Sequence, residues 1–286
     1  AVVTTTAADE SLDVGPMLPE LVSKDGVLEA ELRLGLVTYR TPTLTQSLVG
    51  YNGMVGGPTL RVKPGDTLRL TVVNEMPEEA CSTFHVEALW NQNHAPYHTS
   101  LHVHGLHVSN HENDILTINT APGESQLYII NIPDDHQGGT HWYHPHPHGA
   151  TTLQAGGGAL GFIIVDDLAE DLPPEINLLP EISIAIQFIN MTYLQTDYSA
   201  NYIENCRAHC EEAIFRRGLC EEPVFGNGPT AGSYRNDLTN LAPDGLEYEH
   251  LLLNGVEQPV FTITKGQWYR MRLLFVPTRA RTLEPQ

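Results

Sequence analysis

The chain has 286 residues, 41% of them hydrophobic, which is enough for a sizeable core in one or two domains. Its formal net charge of −20 at pH 7 argues against nucleic acid and against an anionic membrane surface as partners. No apolar run reaches the roughly eighteen residues of a membrane-spanning helix, so no membrane role is expected.

The first residues, AVVTTTAADE, show no basic segment leading into an apolar one and read as a mature terminus after leader removal. Strand signals prevail after them. Runs rich in Val, Ile, Leu and Thr follow in order: LRLTVVNEM, SLHVHGLHV, QLYIINI, GFIIVDD, ISIAIQFIN, VFTIT and YRMRLLFV. Gly, Pro and Asn cut them at short intervals, the pattern of an all-β sandwich or barrel. Helical periodicity is scarce, with one short helix expected around Glu204–Arg217 and Gly218 as its stop.

A repeat divides the chain. Asn52-Gly53 leads through Pro58 to LRVKPGDTLRLTVVN, and Asn254-Gly255 leads through Pro259 to FTITKGQWYRMRLLF. Both copies place a turn glycine (Gly65, Gly266) between two alternating strands, and the second strand carries Arg (Arg69, Arg270). Matched order and spacing predict duplicated β-domains. The expected organisation is an N-terminal extension over 1–27, a first domain over 28–167, an acidic Pro-containing linker over 168–180 and a second domain over 181–286. The first copy is followed by about a hundred more residues of its domain and the second by about twenty, so the second domain reads as shortened, with uncovered apolar faces and strand edges.

Cys206, Cys210 and Cys220 share one polar stretch, and Cys81 stands apart. A metal knuckle would have only His209 within that stretch, so disulfides are the better reading, with Cys81 a candidate long-range partner. That chemistry implies a secreted or periplasmic protein.

The chemistry lies in two histidine pairs, His102-Val103-His104 and His144-Pro145-His146. Residues i and i+2 of a strand share a face, so each pair presents two imidazoles side by side. Two such strands meeting would converge four imidazoles on one spot. Imidazole suits copper, zinc, iron and nickel. His141 and His148 flank the second pair, and a His146/His148 register is the alternative to His144/His146. His107 falls on the strand face of Val103, away from His102 and His104. His85, His94, His98 and His111 read as surface residues of the loops around the first pair.

These residues resemble the multicopper oxidases, the laccase-like enzymes built from cupredoxin domains. The resemblance is carried by Asn52–Asn74, by Leu101–Val108, and by Gly139-Thr-His-Trp-Tyr-His-Pro-His146 with Gln154 and Gly161–Asp167. It covers the first domain almost completely and the second weakly. The implied fold is a cupredoxin-like Greek-key β-sandwich or barrel, one complete domain plus a partial second one. The implied cofactor is copper, as a trinuclear cluster of one type 2 ion and a type 3 pair. His102 would bind the type 2 ion, and His104, His144 and His146 the type 3 pair. The implied reaction couples one-electron oxidation of a small reducing substrate, such as a phenol or a metal ion, to reduction of O2 to water. Asp114, Asp134 and Asp135 are candidates to orient the ligands or deliver protons.

The family's other ligands come from an H-x-x-H-x-H run and an H-C-H run, and neither occurs in this sequence. The chain is therefore expected to supply the N-terminal half of the cluster. A complementary chain or a homo-oligomer would complete it, and a non-catalytic copper-binding protein or an inactive remnant is the alternative.

Overall fold

The structure, a computed structural model, describes residues 2–6, 17–40, 45–77, 97–109, 118–147, 150–190 and 249–277. The four cysteines, His85, His94, His111, Asp114, His148, His209 and the helix expected around Glu204–Arg217 lie outside the described residues.

Two sheets face one another. One contains β2 (Glu20–Val22), β5 (Thr59–Val62), β7 (His102–His104), β9 (Gly139–His144) and β10 (Gly161–Val165), in the order β2-β5-β10-β9-β7. The other contains β3 (Val27–Arg40), β4 (Thr45–Tyr51), β6 (Thr67–Asn74) and β8 (Ser125–Asn131), in the order β4-β3-β6-β8. The alternation in TLRLTVVN does what a period of two requires: Leu68, Leu70 and Val72 are fully buried and their neighbours are not. They meet Leu60, Val62 and Ile163 of the opposite sheet in one core. The result is the all-β sandwich expected from the sequence.

The run GFIIV in β10 is buried at every position, which requires cover on both faces. Ile163 and Val165 enter the sandwich core, while Phe162 and Ile164 form a second cluster with Leu160 and Ala185. Ala185 belongs to a second unit, so the outer face of the site-bearing sheet is covered by that unit. Its sheet contains β11 (Glu181–Asn190), β12 (Glu249–Leu253), β13 (Val256–Glu257) and β15 (Arg270–Pro277), in the order β13-β12-β11-β15.

The repeat read from the sequence is a repeat of topology. β3 pairs antiparallel with β4 and parallel with β6, and β11 pairs antiparallel with β12 and parallel with β15. β5 takes β2 as a parallel neighbour, and β14 (Val260–Thr264) takes β1 (Val2–Thr6) likewise. The residues before Leu28, expected as an extension, thus give one strand to each unit. In both copies the Asn-Gly turn has positive φ at both residues, 53° and 76° at Asn52-Gly53 and 51° and 77° at Asn254-Gly255. That backbone suits a two-residue hairpin turn and disfavours most side chains.

Two helices lie where the sequence reading has no helix, α1 (Thr151–Gly156) and α2 (Pro174–Asn177), the latter inside the expected linker. Strand β7 is also shorter than the run SLHVHGLHV. Gly105, at φ 92°, turns the chain away immediately after His104.

The units are clasped by ions. Arg61 bonds Glu20, Asp166 and Glu181 at 3.0, 2.7 and 2.9 Å. Arg272 bonds Glu181 at 2.6 Å and Thr140 Oγ1 at 3.1 Å, and Arg270 pairs with Asp167. The Arg272 side chain is only 3% exposed.

Candidate metal centre

The histidine pairs lie on neighbouring, hydrogen-bonded strands of one sheet. β7 and β9 run antiparallel with His102 opposite His144, Val103 opposite Tyr143 and His104 opposite Trp142. Cross-strand partners share a face, so His102, His104, Trp142 and His144 project to one side. Val103 and Tyr143 project to the other, where both are buried in the sandwich core. Tyr143 fixes that face by donating its hydroxyl to the Pro58 carbonyl at 2.8 Å.

His102 is the hub. Its ring centre lies 5.3 Å from that of His104, 5.2 Å from that of His144 and 5.3 Å from that of His146. His102, His104 and His144 each offer a ligand atom within 4.8 Å of the others, so these three could hold a metal ion. His146 lies beyond the end of β9, where Pro145 has ended the ladder. Its backbone N–H donates to Ser100 Oγ at 3.2 Å, and its ring stays 5.5 Å from that of His144. The structure thus brings all four expected histidines together, three of them within ligating reach.

The donors fit a metal. His144 Nδ1 lies 2.9 Å from the Pro145 carbonyl oxygen, which can only accept. Nδ1 therefore carries the proton and Nε2 keeps its lone pair. That Nε2 is 3.4 Å from His104 Nδ1. Two nitrogens about 2 Å from one ion, the usual zinc–imidazole distance, stand about 3.3 Å apart at a tetrahedral angle. Burial, together with the neighbouring His102, His146 and His104, pushes the His144 imidazole down to about 3, against the opposing pull of the Pro145 hydrogen bond. A ring that stays unprotonated at neutral pH keeps its lone pair for a metal.

The flanking histidines separate cleanly. His141 shares the face of Tyr143, opposite to His144, and packs edge-on to His136 at 5.3 Å. Burial and the His136 charge lower its pKa. His136 accepts the His107 N–H at 3.0 Å on Nε2 and donates Nδ1–H to the Gln137 carbonyl at 2.7 Å, so both its nitrogens are committed. His107, beyond the end of β7, lies tilted against His136 at 5.2 Å. His98 is half-buried, and its carbonyl accepts the Gln154 side chain. Gln154 is fully buried and also takes the Thr99 hydroxyl at 3.0 Å, bracing the residues that lead into β7. Asp134 and Asp135 occupy the turn before β9, at the far end of that strand from His144, with Asp134 against Gly65. Ser100, which anchors His146, escaped the sequence reading because a lone serine carries no spacing signal.

The sequence model described as multicopper oxidase matches residues 36–90 and 88–170. The multicopper oxidase mco of Staphylococcus aureus is 29% identical over 227 residues, covering 79% of this chain and 37% of that protein. The iron transport multicopper oxidase FET3 of Candida albicans is 32% identical over 133 residues, covering 45% of this chain and 17% of that protein. Among solved structures, a multicopper oxidase from Campylobacter jejuni aligns with TM-score 0.46 and 23% identity over 63% of this chain and 36% of that one. The chain spans about a third of the length of the curated relatives it matches.

Proposed function

From a chain that belongs to the multicopper oxidase family, we propose a laccase-like role: one-electron oxidation of a small substrate, such as a phenol or a metal ion, coupled to reduction of O2 to water. This chain supplies His102, His104, His144 and His146 to a trinuclear copper cluster, with the remaining ligands and the electron-accepting copper outside it. The observation that carries the reading is the convergence of three imidazoles within 4.8 Å on one face of β7 and β9. Copper held there would supply the one-electron redox chemistry.

The protein's own part is geometric. Tyr143 and Val103 lock the two strands into the core, the Pro145 carbonyl selects the His144 tautomer, and Ser100 tethers His146. Orienting partners of this kind set ligand aim and basicity. A complementary chain or a second copy would complete the cluster. A secreted or periplasmic location belongs to the same reading, supported by the cysteine spacing; no described helix is long and apolar enough to cross a membrane. The sequence carries no H-C-H run, which favours a second reading for the chain by itself: copper binding without turnover.

Copper stoichiometry and oxygen uptake on a phenol test both readings, with the His144→Ala/His146→Ala variant as control. Bound copper that the variant loses, without oxygen uptake, is the result expected of the isolated chain. No copper on the wild type would sink the metal assignment, and sustained oxygen uptake would sink the half-cluster assignment.

A further inference from the structure

We propose that Trp142 is the positioning residue of the histidine cluster: its indole sets the ring planes of His104 and His144 and ties them to the second unit. This rests on the metal reading above.

The strand register creates the arrangement. Trp142 stands opposite His104 across the β7–β9 ladder and two residues before His144 on the same face. Its ring stacks on that of His144 at 4.2 Å and 27°, and on that of His104 at 4.9 Å and 28°. The two imidazole centres are only 5.7 Å apart, too close to sandwich the indole, so both lie on the same side of it. On its other strand neighbour Trp142 stands opposite Phe162 of β10. It packs there against the cluster of Leu160, Phe162 and Ala185, which Leu274 and Val276 of β15 also join. One side chain therefore touches two ligand candidates and the apolar contact between the units.

A histidine ring turns easily about its last torsion, whose energy wells are broad. A metal site needs that torsion held. A rigid aromatic plane against two imidazoles supplies the restraint, and the packing behind Trp142 stops the plane from moving. The bland alternative is that Trp142 only fills volume between the units. The two differ in what a flexible side chain of similar bulk would do.

The test uses the full chain as wild type, Trp142→Phe and Trp142→Met, with the histidine ring resonances of the metal-free proteins and Cu(II) titration followed by electron paramagnetic resonance. Trp142→Met should weaken copper binding roughly 10–100-fold, the usual effect of losing an orienting partner, and should broaden the copper signal. Trp142→Phe should restore most of the loss. Wild-type affinity, copper signal and ring resonances in Trp142→Met would overturn the proposal. Absence of copper on the wild type would instead overturn the metal reading. The ring resonances then decide alone: stacking-shifted His104 and His144 signals kept in the Phe variant and lost in the Met variant support positioning, and signals unchanged in the Met variant refute it. If Trp142→Met loses its native circular dichroism, Trp142→Phe decides. Shifted signals support the proposal, and a folded Phe variant without them overturns it.

Discussion

Asn52 and Asn254 occupy equivalent turns with unequal exposure, and that difference predicts unequal cost. Asn52 Oδ1 accepts from the Arg33 N–H at 2.7 Å at an exposed site. Asn254 is 5% exposed, and its Oδ1 accepts from the Ala185 N–H at 2.8 Å while its Nδ2 donates to the Ser183 carbonyl at 2.9 Å. Replacing Asn254 by Ala leaves buried backbone groups unpaired and puts alanine, which tolerates left-handed φ less well than asparagine, at φ 51°, at a cost of about 2–3 kcal/mol. Asn254→Gly relieves the second part and should recover about 1 kcal/mol. Asn52→Ala should cost about 1 kcal/mol, because water can replace its bonds. Denaturant midpoints would check the order, and equal losses for Asn254→Ala and Asn52→Ala would refute the argument from burial. The Asn-Gly signal was legible because positive φ at both positions admits few residue types. The side-chain bonds were not legible, because their acceptors and donors lie about seventy residues upstream in the second copy.

At the scale of the element, matched strands of the two copies have opposite fates. Leu70 and Val72 of β6 are fully buried, whereas Met271 and Leu273 at the equivalent positions of β15 are 55% and 56% exposed. Val72→Ala should cost about 1–2 kcal/mol, on the scale of one or two lost methyl groups. Leu273→Ser should change stability by no more than about 0.5 kcal/mol, as exposed sites do, and should reduce self-association. Thermal melts with sedimentation would show this. A large Tm loss in Leu273→Ser would mean that the face is covered in solution. The alternating strands could be read from hydrophobic period, and β10 as a short apolar run ended by polar residues. The fourteen-residue β3 was missed although Leu28, Ala30, Leu32 and Leu34 alternate with Glu29, Glu31 and Arg33, the period of a half-buried strand.

At the scale of the molecule, the clasp between the units sets a pH dependence. Burial works to raise the Asp167 and Glu181 carboxyls, but hydrogen bonds from Arg270 and Arg272 to Asp167, and from Arg272 and Arg61 to Glu181, outweigh it and hold both low. Their folded values lie below the ordinary 3.8 and 4.5. The stabilisation is therefore complete above those ordinary values and is lost as the pH falls through the folded ones. Arg272→Ala should cost about 3 kcal/mol at pH 7, since removing one partner strands buried charge. Glu181→Gln should be less stable than wild type at pH 7, with the gap closing as the pH falls below 4.5. A gap that stays constant across an acid titration would show that Glu181 acts through packing and not through charge.

The sequence by itself determined the all-β class, the duplicated Asn-Gly hairpins and the two histidine pairs, because each of these is written in local spacing: a period of two, a turn that demands positive φ, or an H-x-H pair. Tertiary structure alone decided that the histidine strands are direct neighbours, that His104 faces Trp142, that Ser100 and the Pro145 carbonyl orient the rings, and that Arg61, Arg270 and Arg272 converge on the acidic residues at the junction. Those relations join residues up to about 120 positions apart. Strand register and the packing of one sheet on another set them, and neither leaves a mark in the spacing of the residues along the chain.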